Sequence, residues 1–205
     1  MKLITVCDDP QRAKRLEDSA REHGWDYVPI KASWRGFGTK LVKLYEYLKE
    51  NDIEDFVFAD GYDVIVKGTP ESFKNKVSGY SAFISSEVNC WPDTDMLSRY
   101  EEYEQLRPNV DKYRFVNSGT YYMTKELFMR LYESDPPKEQ DDDQRWMTKK
   151  VLDNGLIIDT GRVAFQTLCG ITPNDFEIIH GRLLTNHVTE PTFIHGNGKA
   201  DMSWI

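Results

Sequence analysis

The sequence predicts an α/β fold in which a mainly parallel sheet forms the centre of a single domain. Short apolar runs alternate with amphipathic segments along the whole chain, and turn residues separate the two kinds of segment. A length of 205 residues suits one full core and is short for two. We therefore expect one domain over residues 1–205.

The first 80 residues contain three predicted strands that alternate with three predicted helices. Apolar runs bounded by turns predict buried strands at 3–7, 26–30 and 56–60. Apolar residues at helical spacing predict helices over about 11–23, 39–51 and 70–77. The first of these helices stops at Gly24, and the third starts with an N-cap at Thr69 followed by Pro70.

The remainder of the chain continues the alternation with longer loops. It contains predicted strands at 81–85, 115–123, 156–159 and 191–195. It contains one predicted helix within 95–112, with a turn before Pro108, and further helices over about 125–132 and from 141 onward. We expect a surface loop at 134–140 and a turn at 165–170. Small residues from Asn117 to Gly119 predict a kink in the strand 115–123, of the kind that marks a close approach.

Charge and cysteine content exclude several classes of protein. A net charge of −8 argues against nucleic acid and anionic membranes as partners, since both need a basic surface. The cysteines Cys7, Cys90 and Cys169 lie far apart and form no C-x-x-C pair, which argues against a disulfide framework or a zinc site. The sequence carries no pattern of a signal peptide or a membrane span, so we expect a cytoplasmic protein.

Two aspartates at the end of the third predicted strand form the first candidate site. Asp60 and Asp63 stand three positions apart around Gly61, and ligands bind at the carboxyl ends of strands in open α/β sheets. Carboxylate oxygens suit Mg²⁺ or Mn²⁺, so this pair can share one hard cation. An ordinary Asp-Gly turn with a solvated Asp63 explains the same pattern.

His195 ends the last predicted strand and precedes Gly196-Asn197-Gly198. A histidine beside two carboxylates favours Mn²⁺ over Mg²⁺ or Ca²⁺, because imidazole is a softer ligand than oxygen. The glycines let the backbone approach a ligand such as a diphosphate. A histidine with a purely structural role is the alternative.

Asp141, Asp142 and Asp143 form an acidic run at the predicted start of a helix. Acidic residues in a first turn complement the helix dipole and cap the helix. Three in succession exceed what capping needs. The surplus can place a carboxylate against a reacting centre or hold the hydroxyls of a sugar.

Six motifs occur in the order that is typical of one family. They are Asp60-x-Tyr62-Asp63, Glu87-x-x-Cys-Trp91-Pro, Val116-Asn-Ser-Gly119, Asp141-Asp-Asp-Gln144, Phe165-Gln-x-Leu and His195-Gly-Asn-Gly198. Together they resemble the glycosyltransferase domain of the multifunctional procollagen lysyl hydroxylases and the related collagen galactosyl- and glucosyltransferases. The resemblance extends over nearly the whole chain. It implies a GT-A-type, Rossmann-like fold that binds a UDP-sugar and Mn²⁺.

The resemblance also implies roles for individual residues. The metal ligands would be Asp60, Asp63 and His195. The residues that contact the nucleotide sugar would be Val6, Asp8, Trp34, Lys40, Asp60, Tyr62, Asn117, Gln144, Gly196, Gly198 and Lys199, with Tyr62 stacked on the uracil. The catalytic and acceptor pocket would hold Trp91, Asp141, Asp142 and Asp143. Packing in a core or an interface is the alternative role of Tyr62 and Trp91.

The chain departs from the family pattern at two of these motifs. The family has a lysine a few residues beyond His-Gly-Asn-Gly, and here Lys199 follows the motif immediately. The family's asparagine after Phe-Gln-x-Leu is replaced by Cys169.

The resemblance implies transfer of a hexose, glucose or galactose, from a UDP-sugar to a hydroxyl acceptor such as hydroxylysine in a collagen-like protein. The cation would stabilise the departing UDP, and one aspartate of the acidic run would stabilise the sugar or take the acceptor proton. The alternatives are a lipopolysaccharide-type, other glycan or modified-base glycosyltransferase, a sugar nucleotidyltransferase, and a non-catalytic module that only binds the nucleotide sugar.

Overall fold

A computed structural model describes residues 1–106, 111–172, 175–179, 182–185 and 188–205. The strands in these ranges are β1 (Lys2–Cys7), β2 (Asp26–Lys31), β3 (Asp55–Ala59), β4 (Val64–Val66), β5 (Ala82–Glu87), β6 (Phe115–Thr124), β7 (Ile157–Ile158), β8 (Phe165–Thr167), β9 (Phe176–Ile179), β10 (Arg182–Thr185) and β11 (Phe193–His195). The central sheet has six strands in the order β2-β1-β3-β6-β5-β7.

The central sheet is mainly parallel, and the predicted fold class is confirmed. β1 runs parallel to β2 and to β3, and β5 runs parallel to β7. β6 lies between β3 and β5 and is antiparallel to both. The sheet therefore has one reversed strand in its middle, and this strand carries the predicted kink.

The kink in β6 is confirmed by the pairing register with β5. Ile84 pairs with Tyr121, but Ser86, only two residues further along β5, pairs with Val116. The additional residues of β6 lie between these pairs and include Asn117 to Gly119. β6 therefore leaves its regular ladder with β5 at the small residues of the sequence motif.

The helices cover the faces of the sheet. They are α1 (Lys14–Glu22), α2 (Thr39–Glu50), α3 (Pro70–Val77), α4 (Leu97–Gln105), α5 (Lys125–Ser134) and α6 (Asp143–Asn154). The Thr69 hydroxyl caps α3 by accepting from the Ser72 N–H, and Thr124 caps α5 through Leu127 N–H. Gly155 ends α6 in the left-handed conformation, with φ of 59°.

Helix boundaries differ from the predictions mainly at the ends. α1 begins at Lys14 rather than at residue 11, because residues 11–13 form a turn. The segment 95–112 contains a 3₁₀ turn at Thr94–Met96 followed by α4. The turn predicted before Pro108 lies outside the described residues.

A second, three-stranded sheet has the order β4-β11-β8. β11 pairs antiparallel to β4 and parallel to β8. The prediction of a turn over 165–170 is wrong for its first half, which forms β8. Pairing with β11 and complete burial of Phe165 outweigh the local turn signals. β9 and β10 form a separate antiparallel hairpin.

An aromatic cluster packs the second sheet against α3 and against the residue that precedes β2. Trp25, Phe73, Phe165 and Phe193 are buried, and the ring centroid of Phe193 lies 5.1 Å from Trp25, 5.4 Å from Phe73 and 5.7 Å from Phe165. Such edge-to-face and tilted pairs add to the free energy of burial. The cluster anchors β11 two residues before His195.

No helix in the part of the chain that the structure describes is long and apolar enough to cross a lipid bilayer.

The buried carboxylate of Asp159 holds the segment that leads into β8. Its Oδ1 accepts from the Val163 N–H at 2.8 Å, and its Oδ2 accepts from Ala164 and Phe165 N–H at 2.8 and 2.9 Å. Burial raises the pKa of Asp159 to about 6, although the three hydrogen bonds oppose this shift. The native state therefore binds this proton more tightly than the unfolded chain does.

We predict that Asp159 makes the stability of the protein fall as the pH rises. Between its ordinary pKa of 3.8 and about 6, the carboxyl is protonated in the native state and ionised in the unfolded state. The free energy of unfolding, measured by urea titration at several pH values, should fall through this window relative to that of Asp159→Asn. A shift of this size corresponds to roughly 2 to 4 kcal/mol in total.

The prediction concerns only how the difference in unfolding free energy between the wild type and Asp159→Asn changes with pH. The absolute stability of Asp159→Asn therefore does not affect the comparison. Asp52→Asn, at an exposed position, is the matched control for the replacement of one aspartate by asparagine. A flat or rising difference for Asp159→Asn would contradict the prediction.

Candidate active site

The end of β3, the kink of β6 and the end of β11 meet around a cavity of about 540 Å³. The backbone N–H of Asp60, just after β3, donates to the Gly119 carbonyl at 2.8 Å. The N–H of Gly196, just after β11, donates to the Asp63 carbonyl at 2.7 Å. The first bond extends the pairing of β3 with β6 in the central sheet, and the second extends the pairing of β11 with β4 in the small sheet. The short segment 60–63 connects the two sheets at this point.

Asp60, Asp63 and His195 each direct one ligand atom to a common point. These atoms lie within 4.8 Å of one another. His195 Nε2 lies 3.4 Å from Asp63 Oδ2 and 4.0 Å from Asp60 Oδ2. Two carboxylates and one imidazole form a donor set that suits Mn²⁺ and similar divalent cations. The residues therefore fit the cation that the sequence predicts.

The charges in this cluster compensate one another. Burial raises the pKa of Asp60, against the opposing effect of Lys40 and His195. Burial acts in the same direction on Asp63, but the hydrogen bond and charge of His195 outweigh it and lower the pKa of Asp63. For His195, burial acts to lower the pKa, and the hydrogen bond and charge of Asp63 raise it overall.

Lys40 connects the candidate metal site to the acidic run. Its Nζ lies 2.8 Å from Asp60 Oδ1 and 2.6 Å from Asp143 Oδ2. Burial acts to lower the pKa of Lys40, but the charges of the two carboxylates outweigh burial and raise it. Ser118 Oγ also donates to Asp143 Oδ2, at 2.8 Å. Lys40 is therefore a buried cation shared between two elements of the site.

The three aspartates of the acidic run have three different surroundings. Asp141 Oδ2 accepts from the Lys138 N–H at 2.7 Å within the preceding loop. Asp142 caps α6, since its Oδ1 accepts from the Arg145 N–H at 2.8 Å. Asp142 and Asp143 line the cavity. The capping interpretation thus describes Asp142, and Asp143 is the buried partner of Lys40.

A pair formed by Tyr62 and Asp8 lies beside the cavity. The Tyr62 hydroxyl accepts from the backbone N–H groups of Asp8 and Asp9 at 3.2 and 3.0 Å, and donates to the Asp8 carboxylate. The Arg12 guanidinium lies 4.0 Å from the centroid of the Tyr62 ring, a cation–π contact. The stacking of Tyr62 on uracil stays a prediction.

Aromatic side chains form part of the rim. Trp91 is 65% exposed and Phe37 is 57% exposed, and both line the cavity. Trp34 packs edge-on against Phe37, with ring centroids 5.9 Å apart. Large exposed aromatic surfaces beside a polar cavity suit the binding of a partly apolar ligand.

The structure brings most of the predicted site residues to the cavity. Those that line it are Lys40, Asp60, Asp63, Trp91, Asn117, Asp142, Asp143, Gln144, His195 and Gly198. Those outside its lining are Val6, Asp8, Trp34, Tyr62, Asp141, Gly196 and Lys199.

Sequence analysis did not assign a site role to Glu87, which lines the cavity and is buried. Its Oε1 accepts from Asn117 Nδ2 at 3.0 Å and from Gln144 Nε2 at 2.8 Å, and its Oε2 accepts from Asn197 Nδ2 at 3.4 Å. Burial raises the pKa of Glu87 against these hydrogen bonds. The sequence feature that could have identified Glu87 as a site residue is its position as the first residue of the Glu87-x-x-Cys-Trp91-Pro motif.

A larger concavity of about 700 Å³ lies elsewhere, beside α1 and β4. Two of its basic side chains are engaged within the protein: Arg15 donates to main-chain oxygens of Met202 and Ile205 at 2.9 and 3.2 Å, and Lys76 donates to Thr192 Oγ1 at 3.0 Å. The smaller cavity holds the convergent carboxylates, imidazole and lysine, and it is the candidate active site.

The fold is that of a glycosyltransferase. It is similar to the crystal structure of a glycosyltransferase involved in the glycosylation of the major capsid of PBCV-1, with a TM-score of 0.55 and 12% sequence identity. The match covers 97% of this chain and 94% of that one. A family model described as the PLOD GT domain matches residues 16–204, and the chain belongs to this family.

The chain is also similar in sequence to longer proteins. The chain is 30% identical over 176 residues to the uncharacterized protein R699 of Acanthamoeba polyphaga mimivirus, covering 80% of this chain and 36% of that protein. It is 30% identical over 171 residues to the human multifunctional procollagen lysine hydroxylase and glycosyltransferase LH3, covering 77% of this chain and 22% of that protein. The chain thus corresponds to a minor part of the length of each.

We predict that Gly119→Ala displaces His195. A Cβ at this position would overlap the imidazole Cε1 and lie 2.8 Å from Nδ1 and 2.9 Å from Asp60 Oδ2. Overpacking of this kind costs about 1–3 kcal/mol. Urea unfolding should show a loss of this size, and the imidazole resonances of His195 should shift in the NMR spectrum.

Gly161→Ala is the matched control, because among the described residues its Cβ would meet only Val163 Cγ2, at an ordinary distance of 3.5 Å. It should leave the His195 resonances in place. Wild-type stability and wild-type His195 resonances in Gly119→Ala would show that the two strands do not approach each other closely at this point.

Proposed function

We propose that this domain is a metal-dependent glycosyltransferase that moves a hexose from a UDP-sugar to a hydroxyl group. The observation that carries the proposal is the convergence of Asp60, Asp63 and His195 on one point, at the edge of a cavity that also holds Lys40 and two aspartates of the acidic run. Membership of the family described as the PLOD GT domain supports it.

The donor site we propose contains a divalent cation, Mn²⁺, held by Asp60, Asp63 and His195. When bound, this cation supplies positive charge to the diphosphate of the leaving UDP. Gly196, Gly198 and Lys199 follow His195 directly and would face the diphosphate. Tyr62, with Val6, Asp8 and Trp34, would hold the uridine. Lys40 donates to Asp60 Oδ1 at 2.8 Å and favours the ionised form of Asp60 against the effect of burial.

The sugar and acceptor occupy the cavity between Trp91, Asn117, Gln144 and the acidic run in this proposal. Asp143 is neutralised by Lys40 at 2.6 Å, and Asp141 accepts a backbone N–H in the preceding loop. We therefore assign to Asp142 the role of stabilising the positive character of the sugar or of accepting the proton of the attacking hydroxyl. Asp142 can do this while its Oδ1 caps α6.

The donor sugars to test first are UDP-glucose and UDP-galactose, and the acceptor to test first is hydroxylysine in a collagen-like peptide. Relatives of this chain are named as procollagen lysine hydroxylase and glycosyltransferase enzymes, which motivates both choices. A glycan or another protein hydroxyl is the alternative acceptor.

We predict metal-dependent release of UDP from one of these sugars. Release by the wild-type chain should require Mn²⁺ and stop with chelator, and Asp63→Ala should lower it by at least about 100-fold, the scale for loss of a group that stabilises transition-state charge. The measurement is a coupled UDP assay with a panel of UDP-sugars, with and without the peptide.

Asp52→Ala, at an exposed position outside the cavity lining, is the matched control and should retain wild-type release. Full metal-dependent release by Asp63→Ala would remove Asp63 from the metal site. Tight UDP binding by calorimetry without release from any sugar, with or without acceptor, would indicate a module that binds and does not catalyse.

We predict that Asp142→Asn lowers turnover while keeping the fold and the affinity for UDP. Asparagine is as good an N-cap as aspartate, but it cannot accept a proton or carry charge. Turnover should fall by about 10²–10⁴-fold, the usual contribution of a general acid or base. Turnover and calorimetric UDP affinity are measured on the same preparation.

Asp142→Ala separates the cap from the chemistry. It should show the same loss of turnover and, in addition, lose about 1 kcal/mol of stability, because the Arg145 N–H loses its partner. Equal losses of turnover and UDP affinity in Asp142→Asn would instead point to a structural role.

A further inference from the structure

The side-chain amide of Asn117 has one orientation that satisfies its partners. Its Nδ2 donates to Glu87 Oε1 at 3.0 Å, and its Oδ1 accepts from the Gly119 backbone N–H at 3.1 Å. A backbone N–H can only donate, and a carboxylate oxygen accepts. Exchange of the amide nitrogen and oxygen would turn both bonds into contacts between like groups.

This orientation determines which nitrogen of His195 carries a proton. Asn117 Oδ1 also lies 3.0 Å from His195 Nδ1. An amide oxygen has no hydrogen to donate, so Nδ1 must be the donor. A neutral imidazole has a single N–H, and its lone pair is then on Nε2. Nε2 is the atom that faces Asp63 Oδ2 and Asp60 Oδ2.

Without Asn117, the proton of the neutral His195 imidazole would be more stable on Nε2 than on Nδ1. Carboxylate oxygens of Asp63 and Asp60 lie 3.4 and 4.0 Å from Nε2. An N–H at Nε2 would donate to Asp63 and be attracted by the charge of Asp60. In that tautomer Nε2 has no lone pair for a cation. The acceptor on the opposite side of the ring is therefore what leaves Nε2 free for a metal ion.

Glu87 is the anchor of this arrangement. It is 5% exposed and receives N–H groups from three amides, which are carried by β6, by α6 and by the turn after β11. Across the described ranges no lysine, arginine or histidine forms an ion pair with it. Burial of a carboxylate without a cationic partner costs free energy. A role in orienting the neighbouring amides would account for a carboxylate at this position.

We propose that Glu87 and Asn117 are positioning residues that hold His195 in the form protonated at Nδ1, so that Nε2 is presented to the cation. This inference rests on the proposed function, because it assigns the cation to Asp60, Asp63 and His195. Neither residue touches the cation: Glu87 acts on Asn117, and Asn117 acts on His195.

Three variants test the chain of contacts. Asn117→Leu removes the acceptor for Nδ1 at similar volume. Glu87→Met removes the acceptor for Asn117 Nδ2, and Glu87→Gln keeps one through its amide carbonyl. Loss of such an outer partner typically weakens metal binding about 10- to 100-fold. We expect a loss in this range for Asn117→Leu, a smaller loss for Glu87→Met, and recovery in Glu87→Gln.

The first measurement is the imidazole ¹⁵N spectrum of metal-free full chain labelled at histidine, above the pH at which the titration shows His195 to be neutral. The wild type and Glu87→Gln should show the proton on Nδ1. Asn117→Leu should show it on Nε2, and Glu87→Met should show a shift in that direction. The second measurement is the Kd for Mn²⁺ alone, by electron paramagnetic resonance without nucleotide.

Ser86→Ala is the matched control, because it removes a buried donor next to Glu87, the hydroxyl that bonds to the Asp159 carbonyl at 2.8 Å, and leaves the path from Glu87 to His195 intact. It should keep the wild-type tautomer and the wild-type Kd for Mn²⁺. Urea unfolding of each variant establishes that the fold is retained.

The outcomes separate this inference from the proposed function. A wild-type tautomer and a wild-type Kd in Asn117→Leu would overturn the inference while the metal site stands. A wild type that shows the Nδ1 proton but binds no Mn²⁺ would overturn the metal site. The tautomer would then not serve to present Nε2 to a cation, and the inference would fail as well. A wild type with the proton on Nε2 would overturn the positioning role whether or not Mn²⁺ binds.

Discussion

The close approach of His195 to the backbone of Gly119 is the constraint on which the candidate site depends. The imidazole lies where any side chain larger than hydrogen on residue 119 would be. This contact is possible because β6 leaves its regular pairing with β5 at this point. It brings the end of β11, from the small sheet, against the end of β3, from the central sheet, and so unites the three groups that fit a cation.

Burial of ionisable groups explains why these side chains form one network. Removal of a charge from water is costly unless an opposite charge or hydrogen bonds compensate it. Asp60 is compensated by Lys40 and His195, Asp143 by Lys40 and Ser118, and Glu87 by three amides. Because Lys40 is shared, the acidic run and the candidate metal site belong to the same electrostatic unit.

Local patterns predicted the elements whose signals are contained in a few residues. The alternation of strands and helices, the cap at Thr69 and the kink at Gly119 all follow from neighbouring residues. β8 could not be predicted in this way, because its strand conformation comes from pairing with β11, 28 positions away in the register of Phe165 and Phe193. Glu87 was missed for a related reason, since its partners come from three distant elements.

The sequence by itself determined the fold class, the family resemblance and the types of residue that converge at strand ends, because motif order and hydrophobic periodicity are properties of the chain. Only the tertiary structure determined which contacts and which role each of these residues has. Asp141, Asp142 and Asp143 are chemically identical, yet one closes a loop, one caps a helix and one pairs with Lys40. Burial and neighbouring groups distinguish them, and both arise only when separate elements pack together.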